Sequence, residues 1–174
     1  MVWILRKKTK QNNLPNDAIF VRKANQKDAK KIVSLVQSMS LHENGKQSQF
    51  TEEIFLRDGF GEKRAFQVLV AEINGNIVGY TLYCSGYDTA RATRGIILAD
   101  LFVEQVWRRQ GIGRCLMKAT AQACYNSGGT WMFWAVLKKN RRARKFYKTI
   151  APELHNVLLC VSTGENFQKL ADFS

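Results

Sequence analysis

The chain has 174 residues, 45% of them hydrophobic, which is enough for one domain with a buried core. Its 27 basic and 14 acidic residues give a net charge of +13, which favours an anionic partner such as nucleic acid, anionic lipid or a phosphorylated cofactor. The apolar runs are too short for a membrane span or a signal-peptide core, so we expect a cytoplasmic protein without a membrane partner. The four cysteines form no Cys-x-x-Cys pair, which argues against a metal site and favours buried, reduced thiols.

The N-terminal part begins with a segment of unusual charge. Residues 1–16 are polar and basic, which predicts a flexible arm. Residues 18–24 are then typical of a short strand. Asn25 can cap the following helix, with the Asp28 carboxylate near the positive helix end, and apolar residues at helical spacing continue to about Met39.

A second helix and a hairpin follow. Thr51 can cap the helix, which has acidic residues in its first turn, and Gly59 is expected to end it. Residues 66–73 and 77–85 predict a hairpin, because the Asn-Gly-Asn turn at residues 74–76 tolerates positive φ.

The rest of the chain alternates between strands and helices. We expect strands over residues 96–104, 131–136 and 155–162, and helices over residues 112–127, 140–148 and from residue 164 onward. This order predicts the α/β class, with a mixed sheet flanked by helices in a single domain over residues 17–174.

A glycine-containing turn, RRQGIG at residues 108–113, lies between an apolar strand and an amphipathic helix. Glycines allow close approach of a ligand to the backbone, and a helix start offers unpaired N–H groups and partial positive charge. A purely structural turn is the alternative. The dinucleotide fingerprint is disfavoured because Leu116 occupies the third glycine position, and the P-loop motif is absent.

Two motifs together resemble a known family. Arg-x-x-Gly-x-Gly at residues 108–113 resembles the acetyl-coenzyme A motif of the Gcn5-related N-acetyltransferases (GNAT). About 30 residues later, Asn140, Ala143, Phe146 and Tyr147 match the family pattern Asn-x-x-Ala-x-x-Phe-Tyr. The resemblance implies a mostly antiparallel central sheet with a splayed central strand pair. It also implies transfer of acetyl from acetyl-CoA to a primary amine, without a metal.

The resemblance implies a role for each motif residue. The strand backbone at Leu101, Phe102 and Val103 would pair with the pantetheine arm, and the turn would hold the pyrophosphate. The residues implied in cofactor binding are Leu101, Phe102, Val103, Arg108, Arg109, Gln110, Gly111, Ile112, Gly113, Arg114, Asn140 and Ala143. Tyr147 would protonate the departing thiolate as a general acid, with a core aromatic as its alternative interpretation.

A closer resemblance, to the spermidine/spermine (diamine) branch, rests on FLRDGFGE at residues 55–62, with support from Tyr87-Asp88 and His42-Glu43. It implies a cation groove with three carboxylates and a catalytic role for Asp100. The acceptor-binding residues it implies are His42, Glu43, Asp88, Asp100 and Trp134. Glu43 as a solvated loop residue and Asp88 as a turn former are the alternatives.

This chain departs from the branch where Ala99 replaces an acid that is thought to help deprotonate the amine. The expected acceptor is therefore a small diamine or a lysine-like amine, and the enzyme is expected to be a homodimer. The basic arm and the seven basic residues within 138–148 favour an alternative, an RNA-directed enzyme that modifies aminoacyl-tRNA. A protein-amine acetyltransferase and a non-catalytic acyl-CoA or nucleic-acid binding module are further alternatives.

Overall fold

The computed structural model describes residues 3–5 and 18–172. The strands are β1 (Trp3–Leu5), β2 (Ile19–Lys23), β3 (Gln67–Ile73), β4 (Asn76–Asp88), β5 (Thr93–Val103) and β6 (Gly129–Phe133). The helices are α1 (Ala29–Asn44), α2 (Glu52–Phe60), α3 (Ile112–Asn126), α4 (Arg141–Tyr147) and α5 (Gly164–Ala171). The chain divides into two compact units, Met1–Ala135 with the sheet and α1–α3, and Val136–Ser174 with α4 and α5.

The described strands form one mixed sheet in the order β1-β2-β3-β4-β5-β6. Strands β1 to β5 are antiparallel to their neighbours, whereas β6 is parallel to β5. The parallel pairing ends at Ile97 and Phe133, while β5 continues to Val103, so the two strands diverge beyond this point. This arrangement confirms the predicted fold class.

The β3–β4 hairpin confirms the turn expected from the sequence. Asn74 and Gly75 both adopt positive φ, 49° and 77°, which is the conformation of a two-residue type I′ turn. The turn sets the register of the adjoining pairs, with Ile73 opposite Asn76, and a bulge between Ile77 and Gly79 then shifts the register so that Val70 lies opposite Tyr80. Hairpin chemistry that is local in sequence therefore sets only the start of β4, and the bulge sets which face of the sheet Tyr80 occupies.

One face of the sheet packs against α1 and α2. Ile32 and Leu35 from α1 and Phe55 from α2 are each 0% exposed and join the core cluster with residues of β3, β4 and β5. The FLRDGFGE segment supplies much of this packing, because the Phe55 ring lies 5.3 Å from Phe60 and 6.3 Å from Phe66. Helix α2 ends at Phe60, with Gly61 as its C-cap, rather than at Gly59. Phe55 and Phe60 of the most distinctive segment of the branch resemblance are therefore packing residues.

A β-bulge in β5 changes which face of the sheet the residues after it occupy. Leu98 pairs with Tyr83 and Asp100 pairs with Leu82, which leaves Ala99 as the extra residue. Since paired residues share a face and adjacent residues do not, Leu98 and Asp100 face opposite sides. The bulge therefore turns Asp100 to the α1 side, although the period of an unbroken strand would place it with Leu98 on the α3 side.

The unit Val136–Ser174 is held by an ion pair within it. Arg144 on α4 donates to both carboxylate oxygens of Glu153, at 2.9 Å from Nε and 2.9 Å from Nη2. These hydrogen bonds lower the pKa of Glu153 to about 2. The pair joins the segment after α4 back onto that helix.

The prediction of a strand over residues 155–162 is wrong. This segment has no regular structure, and Leu158 and Val161 are 89% and 80% exposed. A strand needs a neighbour for its backbone hydrogen bonds, and no described strand pairs with it. Cys160 is exposed as a result, against the expectation of buried thiols, whereas Cys124 is buried and Cys84 and Cys115 are half-buried.

Of the predicted N-terminal arm, Trp3–Leu5 form strand β1 against β2, and the other residues lie outside the described part of the chain. No helix among the described residues is long and apolar enough to cross a membrane.

A partly buried ion pair links β2 to the start of α1. Arg22 donates to both oxygens of Asp28, at 2.7 and 3.0 Å, and also pairs with Glu72 on β3. Asn25 N donates to Asp28 at 2.8 Å, so the predicted Asn25 cap is part of a reciprocal capping box. Burial raises the pKa of Asp28, but these hydrogen bonds outweigh it and hold the pKa below its usual value.

We therefore expect Asp28→Asn to lower the free energy of unfolding by about 1.5–3 kcal/mol at neutral pH, because Arg22 loses a charged partner. A carboxylate with a depressed folded-state pKa stabilises above its unfolded pKa of about 3.9, and the contribution is lost as the pH falls through the folded value. Urea unfolding from pH 7 to pH 3 should show the two proteins converge. Asp58→Asn, at an exposed pair with Arg57, is the control and should change stability much less. A pH-independent difference for Asp28→Asn would contradict this assignment.

Candidate functional site

The turn between β5 and α3 presents backbone N–H groups at a helix start. Arg109 and Gly111 both adopt positive φ, 65° and 85°, and α3 begins at Ile112. The first hydrogen bond to the turn runs from Cys115 N to Gly111 O at 3.0 Å, so the N–H groups of Ile112 and Gly113 have no acceptor within the helix. A Cβ built on Gly111 meets no atom within 4 Å, so the space before these donors is open. The geometry suits an anion such as a pyrophosphate.

The Arg108 side chain is directed back to the strand, and its predicted contact with the cofactor stays a prediction. Its Nε donates to Val103 O at 2.7 Å, and its guanidinium lies 5.4 Å from the centre of the Phe102 ring. Arg108 therefore ties the turn to the end of β5. Arg109 and Arg114 are exposed beside the turn. Gln110 and Gly113, which are both half-buried, belong to the same segment.

The last residues of β5 expose one edge of their backbone. Glu104 N donates to Val78 O at 3.0 Å, and backbone groups alternate in direction along an antiparallel strand. Phe102 therefore directs its N–H and C=O to β4, whereas Leu101 and Val103 direct theirs to the side from which β6 has diverged. Phe102 is also 7% exposed, so the expected pairing of its backbone with a cofactor is not supported. The open edge and the turn follow each other directly, which suits an extended ligand with amides at one end and phosphates at the other.

An acidic pair lies on the α1 face of the same strand. Tyr80 Oη donates to Asp100 Oδ2 at 3.0 Å, and Tyr80 is 0% exposed. Burial raises the pKa of Asp100, the hydrogen bond from Tyr80 lowers it, and the charge of Glu43 on α1 raises it, with a net increase. Two carboxylates close together in a half-buried setting favour a bound cation. Tyr80 is a site residue that the sequence analysis missed, because neither motif contains it.

The structure does not bring Asp88 to this acidic pair. Asp88 ends β4 and accepts from Arg91 N at 3.1 Å and from Arg91 Nη1 at 2.5 Å, which is the turn-forming alternative. Asp100 pairs with Leu82, six residues from Asp88, a separation of about 20 Å along the strand. The expected groove of three carboxylates is therefore reduced, within this chain, to Glu43 and Asp100.

The two other predicted acceptor residues are His42 and Trp134. His42 is exposed next to Glu43, and both belong to α1, so Glu43 is not a loop residue. Trp134 is half-buried directly after β6.

The second motif forms α4 in the other unit. Asn140 Oδ1 accepts from Ala143 N at 3.0 Å, so the Asn-x-x-Ala spacing is that of an N-cap and its third helical residue. Tyr147 is the last residue of α4 and is half-buried, with its ring 5.3 Å from that of Phe146. The structure thus gives Asn140 a capping role, and contacts of Asn140, Ala143 and Tyr147 with a cofactor stay predictions.

Comparison with known proteins agrees with this geometry. A model of the acetyltransferase (GNAT) family matches residues 30–150. The chain is 33% identical over 144 residues to thialysine N-epsilon-acetyltransferase of Bos taurus, which is 78% of this chain and 84% of that protein. It is 27% identical over 139 residues to spermidine/spermine N(1)-acetyltransferase-like protein 1 of Homo sapiens, which is 75% of this chain and 20% of that protein.

The fold is shared with solved structures as well. An integron cassette protein from V. cholerae superposes with a TM-score of 0.76 at 22% identity, over 88% of this chain and 97% of that one. The matched family model spans most of the chain, including both motifs, the turn at Gly111 and the open strand edge. The chain therefore belongs to the GNAT family and is an acetyl-CoA-dependent N-acetyltransferase.

Proposed function

We propose that the protein transfers acetyl from acetyl-CoA to the primary amine of a small cationic acceptor, a lysine-like amine or a short diamine. The observation that carries this proposal is the half-buried Asp100, which interacts electrostatically with Glu43 and lies near the end of β5 that leads into the glycine turn before α3. Relatives named for thialysine and for spermidine/spermine support the same class of acceptor.

The donor would be held by the turn and the open edge of β5. The N–H groups from Arg109 to Arg114 suit the pyrophosphate, with full charges from Arg109 and Arg114. The N–H and C=O groups of Leu101 suit an amide of the pantetheine arm. Bound in this way, acetyl-CoA supplies an activated thioester carbonyl.

The chain's own groups would then accept and donate protons and stabilise the developing negative charge. An alkylamine is protonated at neutral pH, with a pKa of about 10.4, so it must lose a proton before attack on the carbonyl carbon. Asp100 is the group placed to accept that proton, directly or through water, since Ala99 lacks a carboxylate. The Val103 N–H on the open edge is a donor for the developing oxyanion, and Tyr147 is the proposed proton donor to the leaving thiolate.

A second candidate is an RNA-directed acetyltransferase that acts on aminoacyl-tRNA. The observation in its favour is an exposed basic cluster on α4 and at both of its ends, comprising Lys138, Lys139, Arg141, Arg142, Lys145 and Lys148. Polyanion binding would use this charge. A coenzyme A release assay with diamines, lysine-like amines, neutral monoamines and aminoacyl-tRNA separates the two. Turnover of aminoacyl-tRNA alone would replace the small-amine proposal.

Gly111→Asp should abolish or strongly weaken acetyl-CoA binding measured by calorimetry. The substitution places a carboxylate in the open space before the N–H groups and adds backbone strain at φ of 85°. Gly75→Asp is the matched control, since Gly75 also has positive φ and open space but lies in the β3–β4 turn. Unchanged affinity in a folded Gly111→Asp variant would remove the turn from the donor site.

Tyr147→Phe keeps the ring and removes the acidic proton, so turnover should fall by about 100- to 10,000-fold while acetyl-CoA affinity is retained. Steady-state kinetics and calorimetry on the same preparation check the two parts. Tyr125→Phe, at a tyrosine that is 75% exposed on α3, is the control. Wild-type turnover in Tyr147→Phe would exclude the general-acid role.

Asp100→Asn should raise the KM for a diamine or lysine-like amine more than for a neutral monoamine, because it removes half of the acidic pair. Activity that needs the Asp100 carboxylate is present above its raised pKa and is lost as the pH falls through it. The acid limb of the wild-type pH profile should therefore change in Asp100→Asn. Asp88→Asn is the control and should leave both features unchanged. Equal effects of Asp100→Asn on all amines would make Asp100 a structural residue.

A further inference from the structure

We propose that Tyr80 is a positioning residue of the acceptor site, whose hydroxyl fixes the Asp100 carboxylate for the incoming amine. The inference rests on the proposed function, because it assigns Tyr80 a role through Asp100. Neither motif of the sequence contains Tyr80, and its part in the site follows only from the pairing of β4 with β5.

The Tyr80 ring is held rigidly. It is 0% exposed, packs within the core cluster, and lies 6.4 Å from the Phe102 ring, centre to centre. Its hydroxyl also lies 3.6 Å from Met39 Sδ on α1. A donor that is itself immobile transfers its orientation to the acceptor, so Asp100 loses little further rotamer entropy when a substrate binds.

The hydrogen bond is geometrically specific. Tyr80 pairs with Phe102 across the two strands, and Asp100 is two residues before Phe102 on the same face. The bulge at Ala99 is what brings Asp100 to this face. Because Tyr80 occupies Oδ2 at 3.0 Å, Oδ1 is the oxygen left to meet the amine. A carboxylate with one oxygen tethered presents the other in a defined direction.

The surroundings of Asp100 show why its carboxylate form needs a hydrogen-bond donor. The titratable groups that interact with it among the described residues are Tyr80 and Cys84 on β4 and Glu43 on α1. Burial and the like charge of Glu43 both favour the neutral acid, which could neither bind an ammonium nor accept a proton. The Tyr80 hydroxyl is the group that favours the carboxylate. Burial and the charges of Asp100 and Glu43 raise the pKa of Tyr80 well above its usual value, so it stays a donor.

The test compares two buried tyrosines of the same strand. Tyr80→Phe removes the donor to Asp100, whereas Tyr83→Phe removes a hydroxyl on the opposite face, 3.4 Å from Gln67 Oε1. We expect Tyr80→Phe to lower kcat/KM for a lysine-like amine about tenfold at neutral pH, as for loss of a hydrogen bond to a charged group. The acid limb of the pH profile should move to higher pH. Tyr83→Phe should retain the wild-type profile.

A double-substitution cycle separates positioning from packing. If Tyr80 acts through Asp100, then Tyr80→Phe should have no further effect on kcat/KM in the Asp100→Asn background. Additive effects, or a Tyr80→Phe profile equal to that of Tyr83→Phe, would overturn the proposal while leaving Asp100 in its role. Absence of any effect of Asp100→Asn would instead overturn the acceptor site of the proposed function.

A folding defect is also informative. If Tyr80→Phe leaves a buried carboxylate without its donor and fails to fold, the double variant Tyr80→Phe/Asp100→Asn should recover stability, since the uncompensated charge is then removed. Thermal unfolding of the three variants measures this coupling. A double variant no more stable than Tyr80→Phe alone would contradict the link between the two side chains.

Discussion

The site depends on one extra residue in a β-ladder. Strands β4 and β5 pair over almost their full length, and side chains alternate between the two faces of the sheet. Ala99 breaks this alternation, so the residues after it change face relative to those before it. Leu98 stays on the α3 side, while Asp100 and Phe102 lie on the α1 side. A carboxylate that would otherwise enter the apolar packing beneath α3 is thereby directed to Tyr80 and Glu43.

The same stretch of β5 also presents backbone groups along one edge, which suit the proposed donor. The parallel pairing with β6 ends at Ile97, so the N–H and C=O groups of Leu101 and Val103 lack that neighbour. Arg108 reaches back to Val103 O and holds the following turn against the strand. Side chains on one face and backbone groups along one edge can thus meet two different ligands on the same few residues.

The net charge of +13 and an acidic acceptor site act over different distances. Exposed charges are screened beyond about 8 Å at physiological ionic strength, so the overall charge contributes little inside the site. Glu43 and Asp100 act at short range and in a half-buried setting, where screening is weak. Arg109 and Arg114 beside the turn, and the exposed basic residues on and around α4, face solvent and suit phosphates. A basic protein can therefore take a cationic acceptor, provided that the local carboxylates are close and partly desolvated.

The sequence by itself determined the features that depend on neighbouring residues in the chain. The Asn74-Gly75 turn, the Asn25 and Asn140 caps and the glycine turn before α3 are each encoded within a few residues, and the structure contains all four. The period of apolar residues gave the helices and most strands, and the two motifs identified the family.

Only the tertiary structure decided features that depend on residues distant in sequence. The strand expected over residues 155–162 is not formed, because a strand requires a partner that the apolar pattern does not specify. Asp88 and Asp100, equal as acids in the sequence, are placed about 20 Å apart by the strand register. The bulge at Ala99 has no local signature in the sequence. The hydrogen bond between Tyr80 and Asp100 therefore forms only when β4 and β5 pair, because register is a relation between two strands.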